Sequence, residues 1–229
     1  MSKQPIRLLA LAAALLAAAP GTQAQDQSVY IGGALIRIDS KAPPLAGPPG
    51  STPPDARLDV DDARTLIFGY QRYFNDHWGL DLALGIPPKH KVYGRGALEG
   101  FGQIASSKQV APTLFVNYRF GHAGDRLRPF VGLGVNYTHF TDTRSTTAGD
   151  WASGGPTKLK LKDSWGWAAQ AGASYALTDR WTLNATVAVA DVESDLTATT
   201  TTPGGGTIVR RTKIDFNPVV FTMSVGWRF

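Results

Sequence analysis

The last eleven residues, 219–229, alternate between large apolar residues and mostly small or polar ones, and the final residue is aromatic. A period of two puts these two sets on opposite faces of a β-strand. Backbone groups inside a bilayer must be paired within the protein, so a spanning strand belongs to a closed barrel with lipid outside. We predict the closing strand of an outer-membrane barrel, although the last strand of a soluble sandwich can alternate in the same way. Its lipid-facing residues are Phe221, Met223, Val225, Trp227 and Phe229.

The first 24 residues have the organisation of a cleaved export signal. Lys3 and Arg7 precede an apolar run over 8–19, and a small-residue motif predicts cleavage after Ala24. The apolar run is shorter than the roughly 20 residues that a spanning helix needs, and no later segment is long enough. We therefore predict export to the outer membrane, with a signal peptide over 1–24 and a single barrel domain over 25–229.

Seven further segments alternate in the same way, which predicts an all-β protein with eight antiparallel strands. The connections between them are alternately long and short, as in outer-membrane barrels, which have short periplasmic turns and long external loops. The long connections are 39–62, which is rich in proline, 87–106, 141–163 and 194–209. The additional strands are predicted at 29–38, 64–74, 78–86, 108–120, 128–140, 164–177 and 181–191.

Aromatic residues gather at the short-turn ends of these strands, where they would form the inner interfacial girdle of a membrane barrel. The members of this girdle are Phe74, Trp78, Tyr118, Phe120, Phe130, Tyr175, Trp181, Trp227 and Phe229. A soluble core does not explain why one end is favoured. The pattern therefore favours the barrel.

Three stretches carry a resemblance to a known family: RPFVGLGVNYTHF at 128–140, LKDSWGWAAQAGASYALTDRW at 161–181 and DFNPVVFTMSVGWRF at 215–229. They resemble the OmpW family of outer-membrane proteins, and the similarity covers nearly all of 25–229. The proline-rich stretch 41–54 departs from the family pattern. The resemblance implies an eight-stranded barrel with a narrow, largely apolar channel. It also implies passage of small hydrophobic molecules, partly through a lateral exit in the wall.

Four polar residues face inward near the periplasmic end of the predicted barrel. Eight strands leave an interior that is barely wide enough for its own side chains, and buried charges need partners. We therefore predict an ion-pair cluster that blocks a straight path. The alternative is a wider lumen in which the same groups are hydrated. The residues are Gln71, Asp81, Arg119 and Arg228.

Prolines interrupt the predicted wall on its external side. Pro87 and Pro88 end the third strand, and Pro112 lies within the fourth. Proline lacks the N–H that a strand ladder requires, so we predict a lateral gap beside these residues. The alternative is that Pro87 and Pro88 only begin a loop.

Two further features lie towards the outside. Alternation turns Trp165 outward with Trp167 into an outer girdle, unless a bulge turns it into the upper channel. Six basic residues near the external loops predict a rim that binds lipopolysaccharide phosphates, or else a solvated surface. They are Lys158, Lys160, Lys162, Arg210, Arg211 and Lys213.

Composition and motifs limit the function classes. The formal net charge of +5 falls by two when Lys3 and Arg7 are removed, which does not favour nucleic acid binding. The absence of cysteine rules out thiolate metal sites and a cysteine nucleophile, and we expect no metal and no cofactor. No hydrolase or nucleotide motif is present, so no catalytic residue is predicted. A triad built on His139 stays open.

Two functions follow from these features. The first is the channel for small hydrophobic molecules that the resemblance implies. The upper inward positions are small or weakly polar, which favours a cavity over a solid plug: Gly132, Gly134, Ala168, Thr186, Ala190 and Thr222. The second is a closed structural or adhesive barrel whose loops bind a surface partner. We expect contact with outer-membrane lipid and lipopolysaccharide, and recognition of the closing strand by the barrel-assembly machinery.

Overall fold

Eight antiparallel strands close into a barrel in the computed structural model, which describes residues 26–229. The signal predicted at 1–24 lies outside the described residues. Closure follows from a continuous ring of pairings, in which the strand at 164–176 pairs with neighbours on both sides. The barrel strands are β1 (Asp26–Ile38), β3 (Ala63–Tyr73), β4 (Trp78–Gly85), β7 (Thr113–Arg119), β8 (Leu127–Ser145), β10 (Ser164–Ala176), β11 (Trp181–Ala190) and β14 (Pro218–Arg228).

The barrel carries its apolar side chains outside and its polar side chains inside. Leu133 has 71% of its surface exposed and Met223 has 63%, whereas the inward-facing Asn117 is fully buried. A bilayer reverses the usual requirement, because lipid accepts apolar surface while the lumen holds the polar groups. The alternation in the sequence therefore predicts both the strands and their orientation correctly.

The long connections contain strands of their own, which differs from the loops expected at these positions. Three of them, β2 (Ala56–Val60), β5 (Lys89–Gly96) and β6 (Gln103–Val110), continue the wall beyond β8. Another three, β9 (Thr157–Leu161), β12 (Glu193–Thr201) and β13 (Thr207–Asp215), form a separate antiparallel sheet. A short helix, α1 (Thr147–Ser153), and a 3-10 turn (Glu99–Phe101) complete this outer layer.

The outer layer has a hydrophobic core of its own. Val60, Phe140 and Leu196 pack with Ile214 and Phe216, and each has less than a tenth of its surface exposed. A second cluster joins Ala56, Leu98 and Ile104. Burial of each large apolar side chain contributes roughly 1.5–3 kcal/mol to the stability of the fold. The long connections are therefore held in a defined structure.

The fourth predicted strand is two strands. β6 ends at Val110 and β7 begins at Thr113, and Pro112 lies between them. Proline cannot donate to a ladder, so the pairing is interrupted at this point. Both pieces nevertheless pair with β8, which runs past the interruption.

Most of the expected aromatic girdle faces outward at the short-turn end, where Trp78 packs edge-on against Tyr118. Phe130 is the exception, since only 4% of its surface is exposed. It alternates with the outward-facing Val131 and therefore points into the barrel, next to Gly172. Among residues 26–229, neither helix is of a length and hydropathy that would let it cross a membrane.

Candidate functional site

A hydrogen-bonded floor crosses the barrel, and Asp81 of β4 is at its centre. Tyr30 O–H donates to Asp81 Oδ1 (3.1 Å), while the amides of Gln71 and Gln170 donate to Asp81 Oδ2 (both 3.2 Å). Gln170 also donates to Asn117 Oδ1 (2.8 Å). Only 3% of the Asp81 surface is exposed. These side chains come from five strands, and they form a polar layer across the lumen at this height.

The floor differs from the expected ion-pair cluster. Asp81 and Gln71 meet as expected, but the donors around Asp81 are neutral groups. The pairing register sets Asp81 opposite Phe115, and Arg119 lies four residues, roughly 13 Å, further along β7. The Arg119 guanidinium instead lies 3.7 Å from the centre of the Tyr73 ring, and Arg228 is near the end of β14. The structure therefore does not bring Arg119 to Asp81.

Sequence reasoning missed Tyr30 and Gln170 as members of the floor. Alternation turns both side chains inward, so the sequence indicates the face on which they lie. Their position along the barrel axis depends on the register between strands, which the sequence pattern does not specify. Gly132 was a further signal. A Cβ at Gly132 would collide with Asn117 Oδ1, so glycine lets the Asn117 amide cross the face of β8 and reach Gln170.

Above the floor lies a cavity of about 170 Å³, which we name the barrel cavity. Its walls are mostly aliphatic or small, and they include four of the six small positions singled out in the sequence. Phe115 and Ile67 line it from opposite sides of β4. Small residues in its lining include Ala34, Ala83, Ala168, Thr186, Ala190 and Thr222. The site is thus an apolar chamber with a polar base.

The barrel wall is interrupted beside this cavity. Pairing of β4 with β7 ends at Ala83 and Thr113, and pairing resumes only at Lys89 and Lys108 of β5 and β6. Within the described part of the chain, no backbone hydrogen bond joins residues 84–88 to residues 109–112. The barrel cavity reaches both edges of this break, because its lining includes Ile86, Pro88 and Ala111.

The OmpW family pattern matches residues 37–229 of this sequence. The chain belongs to the OmpW family. It is 38% identical to outer membrane protein W of Vibrio cholerae over 165 residues, which cover 72% of each protein. The crystal structure of OprG from Pseudomonas aeruginosa has a TM-score of 0.80 and 28% identity, and the match covers 91% of this chain and 98% of OprG. Homologues of this kind establish an outer-membrane location.

One relative matches over a shorter stretch. The dibenzothiophene metabolism operon protein PahQ of Pseudomonas aeruginosa is 35% identical over 95 residues, which cover 42% of this chain and 44% of PahQ. The alignment is thus partial, and the family assignment does not depend on it.

This OmpW-family barrel carries a second cavity, of about 80 Å³, inside its outer layer. We name it the outer cavity. It is lined by the two hydrophobic clusters of that layer together with His90, Ser107 and Arg210. Gln109 and Phe216 line both the outer cavity and the barrel cavity, so the two are adjacent.

The external side of the OmpW-family barrel carries an exposed aromatic and polar cluster. Trp165 has 60% of its surface exposed and packs on Tyr137, with ring centres 4.7 Å apart. Its side chain lies on the outer surface with Trp167, and it does not line either cavity. Asp163 accepts hydrogen bonds from Tyr137 O–H (2.8 Å) and pairs with His139 Nδ1 (2.7 Å). No described serine or threonine hydroxyl bonds to His139.

Five of the six basic residues expected at a rim are exposed, and Arg210 is not. Only 7% of its surface is exposed. Its guanidinium donates to the carbonyl oxygens of Ser51 and Ser153 and to Thr200 Oγ1. Arg210 and Arg211 are neighbours in β13, so alternation sends one inward and the other outward.

The exposed members share the outer face of the β9–β12–β13 sheet. Lys162 pairs with Asp195, and Lys213 pairs with Glu193. The remaining three, Lys158, Lys160 and Arg211, make no ion pair within the described residues. Lys160, Thr197 and Arg211 lie in one cross-strand row.

Proposed function

We propose that this chain admits small apolar molecules from outside the cell and releases them sideways into the outer membrane. The observation that carries this proposal is the break in the wall between residues 84–88 and 109–112, which borders the barrel cavity. A solute in that cavity meets an aliphatic wall on its sides and the Asp81 floor below. The low-energy direction for an apolar solute is therefore through the wall into lipid.

The floor favours a sideways route for the solute, because a straight route through the floor would break hydrogen bonds. An apolar solute that crosses the floor has to separate Asp81 from Tyr30, Gln71 and Gln170. Each buried polar group left without its partner costs about 1–3 kcal/mol. The relative PahQ is named for an operon of dibenzothiophene metabolism, and dibenzothiophene is an apolar aromatic molecule. That name agrees with an apolar solute for this chain.

Closing the break tests the side exit directly. The chain has no cysteine, so Gly85→Cys and Ala111→Cys would give a unique pair across the break. A short bifunctional thiosulfonate reagent would join them, and a reductant would release them. We expect uptake of a labelled apolar solute into vesicle lipid to fall to the protein-free rate after cross-linking and to recover after reduction.

The matched control is a cysteine pair in an intact part of the wall. Ala185→Cys and Met223→Cys lie opposite one another in β11 and β14. Cross-linking there leaves the break untouched, so uptake is expected to be unchanged. Equal uptake by the two cross-linked proteins would refute the side exit. Replacing Pro87 and Pro88 with valine, which restores N–H donors, gives a second test in the same assay.

The outer face of the β9–β12–β13 sheet favours a second function, in which the chain binds lipopolysaccharide phosphates. The observation is the row of Lys160, Thr197 and Arg211, whose two cations face outward without an acidic partner in the described chain. Lys160→Gln with Arg211→Gln is expected to weaken binding to vesicles that contain lipid A and to reduce its salt dependence. Unchanged binding would exclude this function, and Lys89→Gln with Lys91→Gln on β5 is the charge-matched control.

A further inference from the structure

The outer cavity is lined by apolar side chains together with a set of polar ones. Val60, Leu98 and Ile104 contribute to its lining, as do Leu196 and Ile214. Its volume of about 80 Å³ is several times the roughly 10–15 Å³ that one water molecule needs. The cavity is therefore large enough for a small organic molecule, and each polar atom in its lining bears on which molecule it holds.

His90 of β5 is such a lining residue, and only 4% of its surface is exposed. Its Nδ1 lies 3.0 Å from the carbonyl oxygen of Asp61. A carbonyl oxygen can only accept, so Nδ1 carries the proton and Nε2 is left with a lone pair. Nε2 is buried and has no hydrogen-bond partner among the described residues.

The charge state of His90 supports this arrangement. Burial lowers the pKa of His90 below its ordinary value, although Asp61 and Asp62 oppose the shift. His90 is therefore neutral at neutral pH and presents an acceptor at Nε2. A buried acceptor without a partner is unfavourable, so the site gains free energy from any group that donates to it.

Two other groups of polar side chains at the cavity already have partners. The hydroxyl groups of Ser107 and Thr143 bond to each other at 2.8 Å. The guanidinium of Arg210 donates to Thr200 Oγ1 and to backbone carbonyl oxygens. Nε2 of His90, by contrast, is buried without a partner, so it is the acceptor that gains most from a bound donor.

We propose that the outer cavity binds small apolar molecules that carry one hydrogen-bond donor, such as a phenol, with the donor on Nε2 of His90. The inference rests on the proposed uptake function and names its preferred solute class. A carboxylate presents only acceptors and would oppose the lone pair of Nε2, so anionic molecules are disfavoured. Because Gln109 and Phe216 line both cavities, a molecule bound at His90 lies next to the barrel cavity.

Phenol and toluene test the donor, because they differ only by a hydroxyl in place of a methyl group. Binding of each to the full chain in lipid nanodiscs would be measured by chemical-shift titration of methyl groups that line the cavity. We expect the wild type to prefer phenol by about 2- to 10-fold, which is the net effect of one hydrogen bond. Benzoate is expected to bind more weakly than either.

Variants at His90 test the residue. His90→Phe removes the acceptor and keeps an aromatic ring, so the preference for phenol should vanish while toluene binding changes little. His90→Gln restores an acceptor and should recover part of the preference, which guards against a packing artefact of the phenylalanine. Lys91→Met, at the exposed neighbour on β5, is expected to leave both affinities unchanged.

Uptake measured in parallel separates this inference from the proposed function. Equal binding of phenol and toluene by the wild type, or a preference that survives His90→Phe, overturns the inference even when both solutes are taken up. A His90-dependent preference for phenol without uptake of either solute supports the binding site and overturns the conduit. Failure of both solutes to bind the outer cavity also overturns the inference.

Discussion

Asp81 is a single carboxylate that holds three neutral donors from three other strands in the interior of the barrel. A buried carboxylate is costly on its own, and each donor stabilises its charge. The three donors are costly to leave unpaired as well. The floor is therefore a mutually dependent set of groups in which one substitution affects all members.

Replacing Asp81 with alanine should destabilise the barrel. The change leaves Tyr30, Gln71 and Gln170 without their common acceptor, and we expect a loss of about 2–5 kcal/mol in the free energy of unfolding. Urea unfolding in lipid vesicles measures it. Asp81→Asn, which keeps one acceptor oxygen, should lose less. Asp179→Ala in an exposed turn is the control, and an equal effect of Asp179→Ala and Asp81→Ala would contradict the role of the floor.

His90 should make the outer layer less stable in acid. In the folded layer, burial lowers the pKa of His90 below its ordinary value of 6.5. Below pH 6.5 the opened layer therefore binds more protons than the folded layer. Stability is then present above 6.5 and is lost as the pH falls below it. Hydrogen exchange of the amides of Val92 and Ile104, corrected for intrinsic rates, would measure the opening. His90→Phe should remove the pH dependence, and an unchanged dependence in that variant would disprove the assignment.

At the scale of elements, the alternation of residues predicts the eight barrel strands and the lipid-facing set. The outer strands are missed because the segment 193–215 has many threonines and a glycine-rich turn, which resembles a loop in sequence. The apolar face of β12 and β13 is covered by residues distant in sequence, such as Val60 and Phe140. Contacts inside the lumen cannot be predicted from the sequence for another reason. They depend on the relative height of strands, and a sequence pattern specifies only which face a residue occupies.

Arg210 should stabilise the outer layer by linking three of its segments. Its guanidinium ties β13 to the proline-rich connection at Ser51 and to the end of α1 at Ser153. Arg210→Met should free these backbone carbonyls and increase protease cleavage within 41–54. Arg211→Met changes the neighbouring residue on the opposite face and should leave cleavage unchanged. Equal cleavage of the two variants would rule out this stabilising role of Arg210.

The whole molecule is divided between lipid and water along its length. Trp78 and Trp181 face outward at the short-turn end, Trp165 and Trp167 face outward at the other end, and Trp151 lies on α1 in the outer layer. Trp151 has 78% of its surface exposed. Membrane barrels place aromatic residues at both interfaces, so the first four belong in lipid and Trp151 belongs in water.

Quenching by brominated lipid should reveal this division. Trp151→Phe removes a fluorophore that lies in water, so the quenched fraction of the total emission should rise. Trp181→Phe removes one in lipid, and the quenched fraction should fall. The comparison uses the same vesicles and the same protein density. Opposite changes, or no change in either variant, would contradict the placement of the outer layer beyond the bilayer.

The interruption between β4 and β7 also bears on how such a chain can diversify. Below it, the barrel strands share continuous pairing, and a change in one strand disturbs its neighbours. Above it, β2, β5 and β6 join the wall through β8. The outer layer is thus a module on a fixed support. Its residues can be exchanged while the membrane-embedded part is inherited unchanged.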